Sequence, residues 1–141
     1  MNYPPFSRAY ERWAPVVARV IFGLIFLFSA SAKIPGTALF ASNVLQTADV
    51  GVPFATVAVF LAFILELVAG LALLLGWKTR LAAAALIPYV VLLLFLFHLS
   101  FENPLDTGLF IDHFILIAGL IFLSVYGAQN LAMKKDAPPR A

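Results

Sequence analysis

Residues 54–75 read FATVAVFLAFILELVAGLALLL, twenty-two residues in which Glu66 is the single charge. A bilayer core of about 30 Å takes roughly 20 mostly apolar residues in a helix, so this stretch predicts a membrane span. Working outward, runs of the same character lie at 14–32, 81–99 and 109–128. The composition agrees with that reading. The chain of 141 residues is 63% hydrophobic and 11% charged, against about half and a quarter in an ordinary soluble domain. A water-soluble fold of this size buries only about two-thirds of its unfolded surface, so the excess of apolar side chains must face lipid. The fold expected is all-α, a transmembrane four-helix bundle forming a single membrane domain over 1–141.

The first apolar run follows Arg8 and Arg12, as a signal peptide would. It is too long for a signal core, and Lys33-Ile34-Pro35-Gly36 follows it in place of a small-residue cleavage pattern, so it reads as a retained span. Orientation comes from the Lys and Arg count of the connecting segments. Arg8, Arg12, Lys78, Arg80, Lys134, Lys135 and Arg140 fall on one side and Lys33 on the other, seven against one. Basic residues stay on the cytoplasmic side, so both termini are expected in the cytoplasm. Tyr10, Trp13, Trp77 and Tyr126 stand where an aromatic belt would sit. The net charge of +2 therefore reflects membrane orientation, and no nucleic-acid partner is expected.

The connection at 76–79 is too short to do more than turn, which makes its two flanking spans an antiparallel pair. The segment 34–53 is longer. Its apolar residues Leu39, Phe40, Val44, Leu45 and Ala48 alternate with polar ones at helical spacing, predicting a short amphipathic helix on the outer surface, an interfacial element rather than a lid. The absence of cysteine removes disulfides, thiolate nucleophiles and Cys-ligated metals.

Charge inside hydrocarbon costs about 2.5–3.5 kcal/mol per residue near the middle of a span, so ionisable residues there turn inward and find partners. On the first span, Arg19, Gly23, Phe26, Ala30 and Lys33 form one stripe of charged and small residues. On the second, Ala62, Glu66, Ala69 and Gly70 share a face whose small residues permit close helix approach. The last span carries two competing stripes, Asp112, Ile115, Gly119, Tyr126 and His113, Leu120, Ser124, Gly127; the pattern leaves open which faces inward. Depth, counted at about 1.5 Å per residue, groups Lys33, His98, Asp112 and His113 in an outer polar layer. Arg19 and Glu66 form an inner one, read as an ion pair that either fixes helix register or takes part in function. Two His and a carboxylate are a possible metal or haem ligand set, but no H-x3-H or E-x-x-H pair is present, so neither metal nor haem is expected. A neutral His beside Asp112, with Glu66 deeper, is consistent with a proton relay and with quinone chemistry.

In these residues the chain resembles the DoxX family of small bacterial four-helix membrane proteins. The pattern is Arg19-x3-Gly23 opening the first span, Lys33 closing it, Gly51-x-Pro53 before the second, Glu66-x3-Gly70 within it, Leu75-Gly76-x2-Thr79-Arg80, and His98 ending the third. It runs from residue 19 to 98 and departs from the family after His98, at Asp112-His113 and the tail. The resemblance implies association with quinol oxidase or thiosulfate–quinone oxidoreductase complexes, with oxidative-stress assemblies, or with maturation of a dehydrogenase.

Three functions follow as expectations. The first is a redox-associated, quinone-linked membrane subunit with an oxidoreductase partner, in which Arg19, Lys33, Glu66, Arg80, His98, Asp112 and His113 form a polar intramembrane cluster. His98 with Asp112 or His113 would meet a quinone carbonyl, and Glu66 would accept a proton. The second is a non-catalytic scaffold or assembly factor, and the third a small transporter acting as an oligomer, a homodimer at the least. No nucleophile–base motif and no nucleotide-binding loop is present, which favours a subunit over a stand-alone enzyme.

Overall fold

Helices form along the apolar runs, and two of them end against a glycine of positive φ, Gly76 and Gly127. The computed structural model describes residues 5–98 and 104–128, and the side chains among them except those of residues 5–9, 11, 12 and 104–106. The elements are α1 (Pro5–Ser31), α2 (Ala38–Asp49), α3 (Ala55–Leu75), α4 (Thr79–Phe97) and α5 (Pro104–Tyr126). Four of them are long and apolar enough to cross a membrane, over Trp13–Ser31, Ala55–Leu75, Thr79–Phe97 and Thr107–Tyr126. These agree with the expected spans to within two residues at every end. Lys134, Lys135 and Arg140, which entered the orientation count, lie outside the described residues, and the side chains of Arg8 and Arg12 lie outside the described side chains.

The helices pack in a ring. Helix α3 lies between α1 and α4, α4 lies between α3 and α5, and a smaller α1–α5 contact closes the circle. Small residues set the closest approach. A Cβ on Gly23 would stand 2.8 Å from the Leu74 backbone nitrogen and 2.9 Å from the Gly70 carbonyl oxygen, so α1 and α3 meet backbone to backbone. The next crossing is looser, because Gly119 of α5 makes room for the Phe22 ring of α1. The short α3–α4 connection is as tight as expected. Gly76 takes the left-handed conformation (φ 70°), its N–H caps Ala72 and Leu73, and Trp77 N–H also returns to the Ala72 carbonyl.

All four spans contribute to one core, in which Phe26, Leu73, Leu86, Val90, Leu120 and Leu123 are closed off from the surface. The outer faces are apolar too: Phe28 is 82% exposed and Ile115 62%. Such exposure is tolerable only where hydrocarbon is the solvent. On α5 the undecided stripe resolves toward His113, Leu120 and Gly127. Leu120 and Gly127 are buried and His113 is half-buried, whereas Asp112, Ile115 and Tyr126 are exposed.

The amphipathic segment is helical as expected. Helix α2 starts at Thr37, whose hydroxyl accepts from Phe40 N–H at 3.1 Å. It packs on α3 without burying any residue.

Candidate functional site

The centre of the polar structure is the Glu66 carboxylate, 1% exposed on the inner face of α3. Lys33 Nζ lies 2.9 Å from its Oε2 and 3.1 Å from its Oε1. Ser29 Oγ donates to Oε1 at 2.9 Å, and Tyr89 OH donates to the same oxygen at 2.6 Å. The lysine also donates to Ser29 Oγ at 2.9 Å and to the Ser29 carbonyl at 3.3 Å. Three spans, α1, α3 and α4, thus converge on one carboxylate. Charge-assisted bonds of this kind are short and strong, and they are needed, because a carboxylate stripped of water without such partners is severely destabilising.

This arrangement corrects the expected Arg19–Glu66 pair and the placing of Lys33 with the histidines. Helical side chains lean toward their own N-terminus, and α1 and α3 run antiparallel. Arg19 therefore leans toward the C-terminal end of α3, away from Glu66, while Glu66 leans toward the end where Lys33 sits. Lys33 itself bends back along α1 to meet it. The Arg19 side chain, in a residue 2% exposed, approaches the Leu73 and Leu74 carbonyls with Nη1 at 3.4 and 3.5 Å, in the last turn of α3.

The rest of the expected outer layer divides. The rings of His98 and His113 lie 4.4 Å apart between centroids, at 42° to each other, so the ends of α4 and α5 do bring the two histidines together. His113 Nδ1 donates to the Leu109 carbonyl at 2.8 Å, which fixes the tautomer and leaves Nε2 as the accepting nitrogen. Asp112 lies on the exposed side of α5 and is not part of that pair. Arg80 stands at the opposite end of α4 from His98, eighteen residues or about 27 Å away.

Between α2, α3, α4 and the start of α5 lies a cleft of about 430 Å³, within the size range of small-molecule sites. Its walls are mainly apolar, with Leu92, Leu93 and Leu96 along α4. Lys33, Tyr89 and His98 also line it, so the cleft touches both the Glu66 network and the histidine pair. Helix α2 contributes Asn43, Gln46 and Thr47. Asn43 Nδ2 donates to the Ala32 carbonyl at 3.1 Å, tying α2 to the end of α1.

Ser29, Tyr89 and the polar face of α2 were not singled out by sequence. A signal for Tyr89 was available: it carries a hydroxyl in the middle of an otherwise apolar span, and a buried phenol seeks a partner. Ser29 lies four residues before Lys33, the spacing at which helix neighbours touch. Nothing local marks α2 as a cleft wall.

The chain matches the DoxX family over residues 14–99, well over half of its length. It is similar to the inner membrane protein YqjF of Escherichia coli (strain K12), 29% identical over 112 residues that cover 79% of this chain and 82% of that protein. No solved structure matches the chain. The family match runs from α1 through α4 and takes in Lys33, Glu66, Tyr89 and His98; this multi-pass membrane protein belongs to the DoxX family.

Proposed function

We propose that the protein is a non-catalytic, quinone-binding subunit of an inner-membrane redox complex, with both termini on the cytoplasmic side, that holds the quinone for a partner oxidoreductase. The observation that carries this reading is the cleft of about 430 Å³, apolar along α4 and polar where Lys33, Gln46 and His98 meet it. A quinone has matching polarity, a flat apolar ring with hydrogen-bond-accepting carbonyls. Leu92, Leu93 and Leu96 provide the apolar wall, while the Gln46 amide is a donor and His98 a further polar group in the lining. The three protons of Lys33 are directed at Ser29 and Glu66, so its part is to bias the local field toward electron-rich oxygen. When bound, a quinone supplies coupled electron and proton transfer. His113 Nε2, beside His98, is the atom suited to holding a proton near the cleft.

Binding of short-chain ubiquinone and menaquinone to the purified protein in nanodiscs tests this. Micromolar binding is expected, weakened about tenfold by His98→Ala and by Gln46→Leu, the factor corresponding to about 1.4 kcal/mol for one hydrogen bond. No binding, or equal binding by parent and both variants, overturns the reading.

A second reading, a scaffold without ligand, is favoured by one observation: both Glu66 oxygens have protein partners already. Such a network can serve helix register alone. Growth of a Lys33→Met, Glu66→Leu double variant under oxidative and sulfur stress separates the two, since parental growth supports the scaffold and lost growth with retained folding removes it.

A further inference from the structure

At the end of the bundle away from His98, a groove of about 270 Å³ opens between α3 and α4 beneath the Gly76–Lys78 turn. Ala69, Ala72, Ala82 and Ala85 make it, because four methyl side chains leave space that larger ones would fill; Leu65 and Val68 complete its α3 wall. From Leu65 to Ala72 the groove follows about 10 Å of helix. Nothing polar interrupts it until its mouth, where Trp77 and Lys78 stand.

Three features make this end of the bundle cationic. Lys78 is exposed and holds its Nζ 5.3 Å from the centre of the Trp77 ring. Arg80, half-buried and two residues on, adds a second basic residue at the same end of the bundle, outside the groove lining. Helix α4 begins behind Lys78 with no side-chain cap, so its first-turn N–H groups and the positive end of its dipole are offered outward. Among the described residues the ion pair is Lys33–Glu66, and neither Lys78 nor Arg80 faces a carboxylate.

We propose that this groove binds an anionic phospholipid, with one acyl chain between α3 and α4 and the phosphate at Lys78 and the start of α4, in the field of Arg80. The two halves of the site do different work. Bulk lipid is as apolar as the groove, so the chain contributes fit and little selectivity. Selectivity comes from the headgroup, since a basic cluster at the membrane surface attracts negative lipid. The Trp77 indole lies at the junction, where amphipathic rings settle at headgroup level. This inference does not depend on the quinone reading, because the groove lies at the other end of the bundle and shares no lining residue with the cleft.

The test uses Trp77 as the reporter, in a Trp13→Phe background that leaves it the sole tryptophan. Quenching by phosphatidylglycerol with brominated chains is compared with quenching by brominated phosphatidylcholine in reconstituted vesicles. Half-maximal quenching is expected at a five- to tenfold lower mole fraction of the anionic lipid. Lys78→Gln should reduce that preference to about twofold, and Lys78→Gln with Arg80→Gln should abolish it. Ala85→Phe, which places a ring in the groove from an exposed position, should remove the low-mole-fraction quenching. Equal midpoints for the two lipids, or a preference that survives Lys78→Gln, overturns the proposal. So does unchanged quenching in Ala85→Phe, which would place the lipid against the turn and outside the groove.

Discussion

Lys33 and Glu66 meet at 2.9 Å although residue counting places them in different layers of the membrane. Lys33 follows the last residue of α1, Ser31, by two positions, and Glu66 sits at the middle of α3. Their Cα–Cβ bonds lean toward each other because the helices are antiparallel, and the four-carbon lysine stem spans the remaining depth. Arg19 shares the Lys33 stripe, and the same lean carries it the other way. The direction of the side chain decides which cation neutralises the carboxylate.

Removing one member of the Lys33–Glu66 pair should cost far more than removing both. Glu66→Leu strands the ammonium and Lys33→Met strands the carboxylate, and each is expected to destabilise by about 3–5 kcal/mol. The Lys33→Met, Glu66→Leu double variant should recover more than half of either loss. Chemical unfolding of the four proteins in one detergent measures the cycle. Additive single effects would show that the pair is not energetically coupled.

Tyr89→Phe deletes one hydrogen bond to a buried charge and leaves the ring volume unchanged. A loss of about 1.5–3 kcal/mol is expected, larger than the loss from Tyr126→Phe, whose residue is 49% exposed on α5. The two variants unfolded side by side give the comparison. A Tyr89→Phe protein as stable as its parent would mean that the 2.6 Å contact to Glu66 contributes nothing.

The spans were legible because hydrocarbon imposes one rule, that every helix crossing it be long and apolar, and residues 54–75 satisfy it without reference to anything else. The inward turn of Glu66 was legible for the same reason. Its partner was not, because pairing depends on the relative direction and tilt of two helices, and depth counted from Cα positions ignores where the side chain goes. Asp112 and His113 show a related limit. They are adjacent in sequence, one turns outward and the other meets His98, and only the packing of α5 on α4 decides between them. The cleft was least legible, since Asn43, Gln46 and Thr47 acquire meaning only once α2 lies over α3.

Glycine substitutions should rank by what the new methyl group meets. In Gly23→Ala the Cβ would approach backbone atoms of α3, at 2.8 Å from the Leu74 nitrogen, and the helices must separate to admit it. In Gly119→Ala the nearest atom, Cζ of Phe22, belongs to a ring on the partly exposed side of α1 that can turn away. Overpacking of a fixed contact costs about 1–3 kcal/mol. Gly23→Ala is expected to reach that range and Gly119→Ala to fall below it, by thermal unfolding. The reverse order would mean that Phe22 is held more rigidly than the α1–α3 crossing.

Helix α2 should open independently of the bundle. It buries no residue, and the Asn43 amide that reaches Ala32 is a side-chain bond across to α1. Segments with few buried contacts unfold locally at low free energy, well below that of the global transition. Asn43→Ala removes that bond, a loss of about 1 kcal/mol to the docking of α2, and should speed amide exchange across residues 38–49 by five- to tenfold while exchange in α3 and α4 stays at parental rates. The global unfolding midpoint should hardly move, because the core of Leu73, Leu86 and Leu120 is untouched. Exchange mass spectrometry on the reconstituted protein reads both regions at once. If exchange rises equally in α2 and α3, the cleft wall is part of the cooperative bundle, and ligand entry by local opening of α2 is ruled out.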